Sequence, residues 1–226
     1  MTSTALPPTS RVLTDLGPIA QLRAGRLGRR LVQLYTGLVL YGLSIAMMVR
    51  GHLGVAPWDV LHSGLAGHLP ITLGEALVIV SFLVMVLWIP LREVPGIGTI
   101  SNALVIGTST DVFLHVLHQP AAMWLRGLLM VGGVAVCGLA TAMYIGAQLG
   151  RGPRDGLMTG FARRTGLSLR LVRTLLEITV VVIGLLLGGV AGLGTVLYAL
   201  AIGPLTQALL PALIVDVRRV VVTDGQ

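Results

Sequence analysis

At 226 residues, with 11% charged residues and a mean hydropathy of +0.89, the chain is too sparsely charged for a soluble domain, in which about a quarter of residues carry charge. Its apolar runs of about 20 residues match the hydrocarbon core of a bilayer instead. The net charge of +7 comes from arginine alone, and the arginines fall between the apolar runs. That reads as membrane topology and excludes a basic nucleic-acid-binding face.

In chain order, residues 1–22 are polar, with Pro7-Pro8 and several Ser and Thr, a composition that predicts disorder. With Arg23, Arg26, Arg29 and Arg30 they make a disordered basic tail over 1–30. The first span is predicted over 31–49. It is too long for a signal peptide, lacks a clean cleavage site and has a counterpart later in the chain. Further spans are expected over 71–91, 97–117, 123–148, 171–190 and 193–214, which divides the chain into membrane repeats over 31–120 and 121–215 and a short tail over 216–226. The lone Cys137 lies inside an apolar run, so no intrachain disulfide can form.

Between the first and second spans of each repeat stands the same stretch. It reads Leu53-Gly54-Val55-Ala56-Pro57-Trp58-Asp59 and, 96 residues later, Leu149-Gly150-Arg151-Gly152-Pro153-Arg154-Asp155. At the same offset Gly37 matches Gly133, Gly42 matches Gly138, Gly98-Thr99 matches Gly194-Thr195, and Thr110 matches Thr206. Apolar matches come cheaply in membrane proteins; matches at Gly, Pro, Asp and Thr do not, so the chain reads as a duplication. The segments over 57–69 and 153–165 that follow each motif are helical but, at about 20 Å, too short to cross a core of about 30 Å.

With six spans and the N-terminus inside, fourteen of the sixteen arginines fall on the cytoplasmic side; only Arg50 and Arg126 lie outside. The two motif copies then sit on opposite sides, which predicts an all-α polytopic fold of two inverted three-span repeats, each with a short Pro-initiated half-helix. Inverted repeats with interrupted segments at matching positions are a recurring architecture of secondary transporters.

The candidate substrate or ion site is accordingly Asp59, Asp155, Pro57, Pro153, Gly54 and Gly150. A structural alternative is that the two aspartates only favour the positive ends of their helices. Asp111, on one span with Asn102 and matched by Gln207, joins the site as an intramembrane acid. Glu75, Glu177 and Arg173 are secondary, the last two four residues apart and able to pair. The five histidines read as solvated or interfacial, and no metal or other cofactor is expected. Asp155-Gly156 with Ala162-Arg163 is only faintly like a lipid head-group transferase motif, and there is no Ser/His/Asp set, HExxH or P-loop. The chain is therefore expected not to be an enzyme.

The doubled Leu-Gly-x-x-Pro-x-Asp motif, with Gly98-Thr99 and Gly194-Thr195, resembles the YitT/YczE-like family of bacterial integral membrane proteins over roughly residues 31–215, in its shorter YczE type. That resemblance implies a multi-pass plasma-membrane protein and carries no catalytic residue. Two functions fit: a small secondary transporter or permease for an unidentified small molecule or ion, or a membrane accessory or assembly factor, such as a substrate-binding subunit, acting through a partner or as a homo-oligomer. Nucleic acid is not an expected partner.

Overall fold

The computed structural model describes Leu13 and residues 17–217. The described residues form ten helices and no strand. Five stretches are long and apolar enough to cross a membrane: α2 (Leu27–Gly51), α4 with α5 (Leu73–Val86 and Trp88–Leu91), α6 (Ile97–Val116), α7 (Met123–Gly146) and α10 (Leu193–Leu213). A sixth, α9 (Leu169–Leu186), is 18 residues long but carries Arg170, Arg173 and Glu177. The half-helices are α3 (Pro57–His68) and α8 (Pro153–Thr165), and α1 (Pro18–Arg23) precedes them all. Exposed Leu, Ile and Val on α4, α6, α7, α9 and α10 make the apolar outer surface.

Three expectations are corrected. The basic tail is not unstructured throughout: α1 is helical from Pro18, and α2 starts at Leu27, before the predicted span. Arg30 explains the difference. It is fully buried, and its guanidinium donates to the carbonyls of Gln21, Ala147 and Gln148, with Nε 2.8 Å from Ala147 O. A charged donor set thus closes the carbonyl end of α7, where the helix dipole favours a cation. The span over 71–91 is broken at Leu87, because Pro90 has no amide to continue the helical ladder. The span over 171–190 ends early at Leu186, and Gly188-Gly189 follow. A side chain at Gly189 would run into the Val60 carbonyl at 2.0 Å, so this link lies directly on α3. The predicted disorder before residue 13 and the tail arginines Arg218 and Arg219 lie outside the described residues.

The core is a seam between α2 and α7, which occupy matching places in the two sequence copies. Gly37 and Gly133 let the helices close: a Cβ at either would lie 2.9 or 2.8 Å from a methionine side chain of the other helix. Leu34, Leu38, Ile45, Met48, Val134 and Cys137 fill the seam. α6 packs on α2, and α10 packs on α7. α3 lies against α9 and α4; α8 lies against α9, α4 and α5.

Candidate functional site

The two motif loops follow the same backbone path. Each long helix ends at a left-handed residue, His52 (φ +52°) or Gln148 (φ +55°), and each loop then turns at a glycine, Gly54 (φ +114°) or Gly150 (φ +128°). Only glycine takes the last of these conformations without strain. Each loop hydrogen-bonds to the helix start in the opposite half. The Gly98 amide donates to Leu149 O, and the Gly194 amide donates to Leu53 O, both at 2.7 Å. These bonds satisfy amides that a helix N-terminus leaves open. Thr99 completes one junction by accepting from the Gly96 amide and donating to Arg151 O at 2.7 Å; Thr195 accepts from the Gly192 amide in the other. The repeated Gly and Thr residues are therefore the parts of a crossed clasp.

The clasp brings the first turns of α3 and α8 within side-chain reach of each other in the interior. Pro57 and Pro153 are the first helical residues, and both are buried. Asp59 and Asp155 sit two positions later, but neither caps its helix through a hydrogen bond. Asp59 is 1% exposed and accepts from His62 Nδ1 at 2.9 Å, with Arg154 Nη2 at 3.8 Å from the same oxygen. Arg154 also lies over the Trp58 ring, 5.2 Å from its centroid, within cation–π range. Asp155 accepts from the Tyr144 hydroxyl. One motif thus reaches the other: Trp58 and Asp59 of the first hold Arg154 of the second. His62 was missed by the sequence reading, which left every histidine solvated or interfacial. Its spacing of three from Asp59 on a helix is the signal that pairs them.

Two cavities flank this network. The larger, about 280 Å³, is lined by both half-helices and by α9 and α10, including Trp58, Arg154, Asp155, Arg173, Glu177 and Gln207. The smaller, about 50 Å³, lies against α4 and α6 and includes Ser81, Asn102, Arg154 and Asp155. Their walls correspond at the 96-residue offset: Leu77 with Arg173, Ser81 with Glu177, Asn102 with Tyr198, Ile106 with Ile202, Gly152 with Ala56, and Arg154 with Trp58. Tyr41, Tyr144, Arg154 and Asp155 line both.

Of the other expected residues, Arg173 and Glu177 pair at 2.8 Å on the wall of the large cavity. Asp111 and Glu75 stand apart from both cavities, at the start of α4. Asp111 accepts from the Gly74 amide at 2.8 Å and from the Thr72 hydroxyl. Glu75 and Thr72 form a reciprocal capping box, which satisfies two open amides at once. Beyond the cavities, α8 is tied down where Trp88 Nε1 donates to Pro153 O at 3.0 Å and Arg163 pairs with Glu93 at 2.9 Å.

Comparison with known proteins gives the chain a family. Residues 28–211 match a family described as a family of unknown function, DUF6198. The chain belongs to this family. An uncharacterized Haemophilus influenzae protein is 40% identical over 75% of this chain and 78% of its own length. The Bacillus subtilis uncharacterized membrane protein YczE is 32% identical over 78% of this chain and 83% of its own. A second Bacillus subtilis protein, YyaS, is 26% identical over 77% of this chain and 89% of its own. No solved structure matches. The YczE-type resemblance read from the motifs holds, and with its apolar helices the chain is a helical membrane protein.

Proposed function

We propose that the chain is a small secondary transporter of the bacterial plasma membrane that admits a polar solute alternately through its two cavities. Its halves, 31–120 and 121–215, are read as three-span repeats inverted in the membrane with both termini cytoplasmic, and α9 is the sixth span at about 27 Å. The observation that carries the reading is the pair of unequal cavities with equivalent walls. Charged groups so far inside a membrane protein are costly and mark solute or ion paths. In the orientation set by the arginines, the α9 wall of the large cavity belongs to the cytoplasmic half of α9, and the α10 wall runs from Tyr198 across the middle of the membrane to Gln207 in its cytoplasmic half. The structure then corresponds to an inward-facing state, and an outward-facing state closes α9 on α10 and parts α4 from α6.

Cysteine accessibility tests this, on a background with Cys137 replaced by alanine. Cysteine at Gln207 should react with a membrane-impermeant maleimide from the cytoplasmic side only. Cysteine at Asn102, half-buried on the wall of the smaller cavity, should react from the outer side at a slower rate set by the minor state. Complete protection at Asn102 from both sides would leave a static cavity and favour the accessory-subunit reading instead.

A further inference from the structure

A coupled transporter needs a group that takes up and releases its driving ion, and the transport reading above leaves that ion open. Among the described residues one buried pair is built for a proton. His62 is the single buried histidine of the five; His52, His68, His115 and His118 are exposed. Its Nδ1 faces Asp59 Oδ1 at 2.9 Å, while its Nε2 is buried with no hydrogen-bond partner. In the neutral ring, Nδ1 donates to the carboxylate and Nε2 is a bare acceptor, the place where a second proton adds.

Tyr41 of α2, Cys137 of α7 and Tyr198 of α10 face Asp59 from the core, and the charged surroundings are few. Arg154 of α8 is 3.8 Å from the same Asp59 oxygen. α4, packed on α3, contributes Glu75, which is committed to its capping box. α9, also packed on α3, brings the exposed Arg170 and the mutually paired Arg173 and Glu177. Asp155 is bonded by Tyr144. One buried carboxylate thus serves two partners: an arginine that is always charged, and a histidine that is charged only when protonated.

We propose that His62 is the proton-binding site of this protein and that Asp59 relays its charge to Arg154, so that the large cavity takes an anionic solute together with a proton. With His62 neutral, the charge of Asp59 is answered by Arg154, which rests over Trp58. A proton from water forms the Nε2–H bond, and the imidazolium then answers Asp59 from within α3. Arg154, which lines both cavities, is released toward the solute's carboxylate or other anionic group. Return of the Nε2 proton to water restores the Asp59–Arg154 attraction and expels the anion. The site is single. Met158 stands in the second half where His62 stands in the first, so the stoichiometry is one proton per cycle.

Trp58 is a built-in reporter, because Arg154 sits on its ring. Tryptophan emission of the full chain in lipid nanodiscs should shift in one transition on the acid side of the free-imidazole range, because burial disfavours the charged ring. His62→Gln should abolish that transition, and His68→Gln should keep it. Ring-nitrogen NMR of the histidine-labelled wild-type protein needs no variant: the solvent-protected histidine should pass from one protonated nitrogen to two over the same range. A protected histidine that holds one tautomer throughout, or an emission transition that survives His62→Gln, overturns the proton site. Neither readout measures flux, so the two readings fail separately. Alternating accessibility with a silent His62 removes only the proton site, whereas a titrating His62 beside a static cavity removes transport.

Discussion

The second and third long helices of the two halves are packed differently. α4 lies on α6, with Gly74 and Gly107 in direct contact: a Cβ on Gly74 would come within 2.2 Å of Gly107 O, and one on Gly107 within 2.5 Å of Gly74 O. Asp111 fastens the same seam by accepting from the Gly74 amide. In the second half, α10 packs on α7 but makes at most marginal contact with α9. The residues at the equivalent positions give the reason. Arg170 replaces Gly74, a Cβ on Gly203 would meet no other element within 4 Å, and Gln207, in the place of Asp111, lines the large cavity. Glycine contact and a carboxylate cap close one side; an arginine and a longer amide stand on the open side. A duplicated chain can therefore hold unequal halves through two substitutions, Gly74 to Arg170 and Asp111 to Gln207.

The largest effect should come from the clasp that both halves share. Gly54→Val adds a branched side chain at a left-handed φ, where a Cβ already meets the Gly192 amide at 2.7 Å. Strain and overpacking together predict a loss of roughly 4 kcal/mol, and Gly150→Val should match it. Melting curves in detergent check this; a large loss in one half only would break the equivalence of the loops. Next, Gly107→Leu should cost about 3 kcal/mol, the upper range for overpacking, while Gly203→Leu stays within about 0.5 kcal/mol, as for surface changes. Equal melting temperatures for the two variants would end the closed-against-open contrast. Smallest, Asp111→Ala should cost about 2 kcal/mol through the lost charged cap of α4. Gln207→Ala should leave stability unchanged, measured the same way; similar losses at both would place Gln207 in a seam as well.

Much of this was legible in the sequence. Apolar length and Gly-Pro punctuation marked the long and short helices, and the 96-residue offset located the two loops. Asp59, Asp155, Pro57 and Pro153 were found because a proline and an acid at a helix start have a local signature. Asp111 was read as part of the same site because an acid in an apolar span shows its cost and not its partner; the partner amide is 37 positions away. Arg30 was assigned to the tail for the same reason, since its acceptors lie more than a hundred residues downstream at Ala147 and Gln148. The Thr72-x-x-Glu75 box, by contrast, is local and could have been read as a cap. The open side is also written in the chain, at Arg170 against Gly74, where the two copies differ at the offset instead of matching.

The crossed clasp sets an order of assembly. When the first half has been synthesised, the Gly98 amide at the head of α6 faces the place of an acceptor that does not yet exist, because Leu149 follows some fifty positions later. When α10 is made, the acceptor for its Gly194 amide, Leu53 O, is already in the membrane. An amide left open in hydrocarbon costs several kcal/mol. The ribosome therefore delivers an unfinished first half and a second half that finds its partner waiting, and a first half produced alone lacks the bond that seats its last helix.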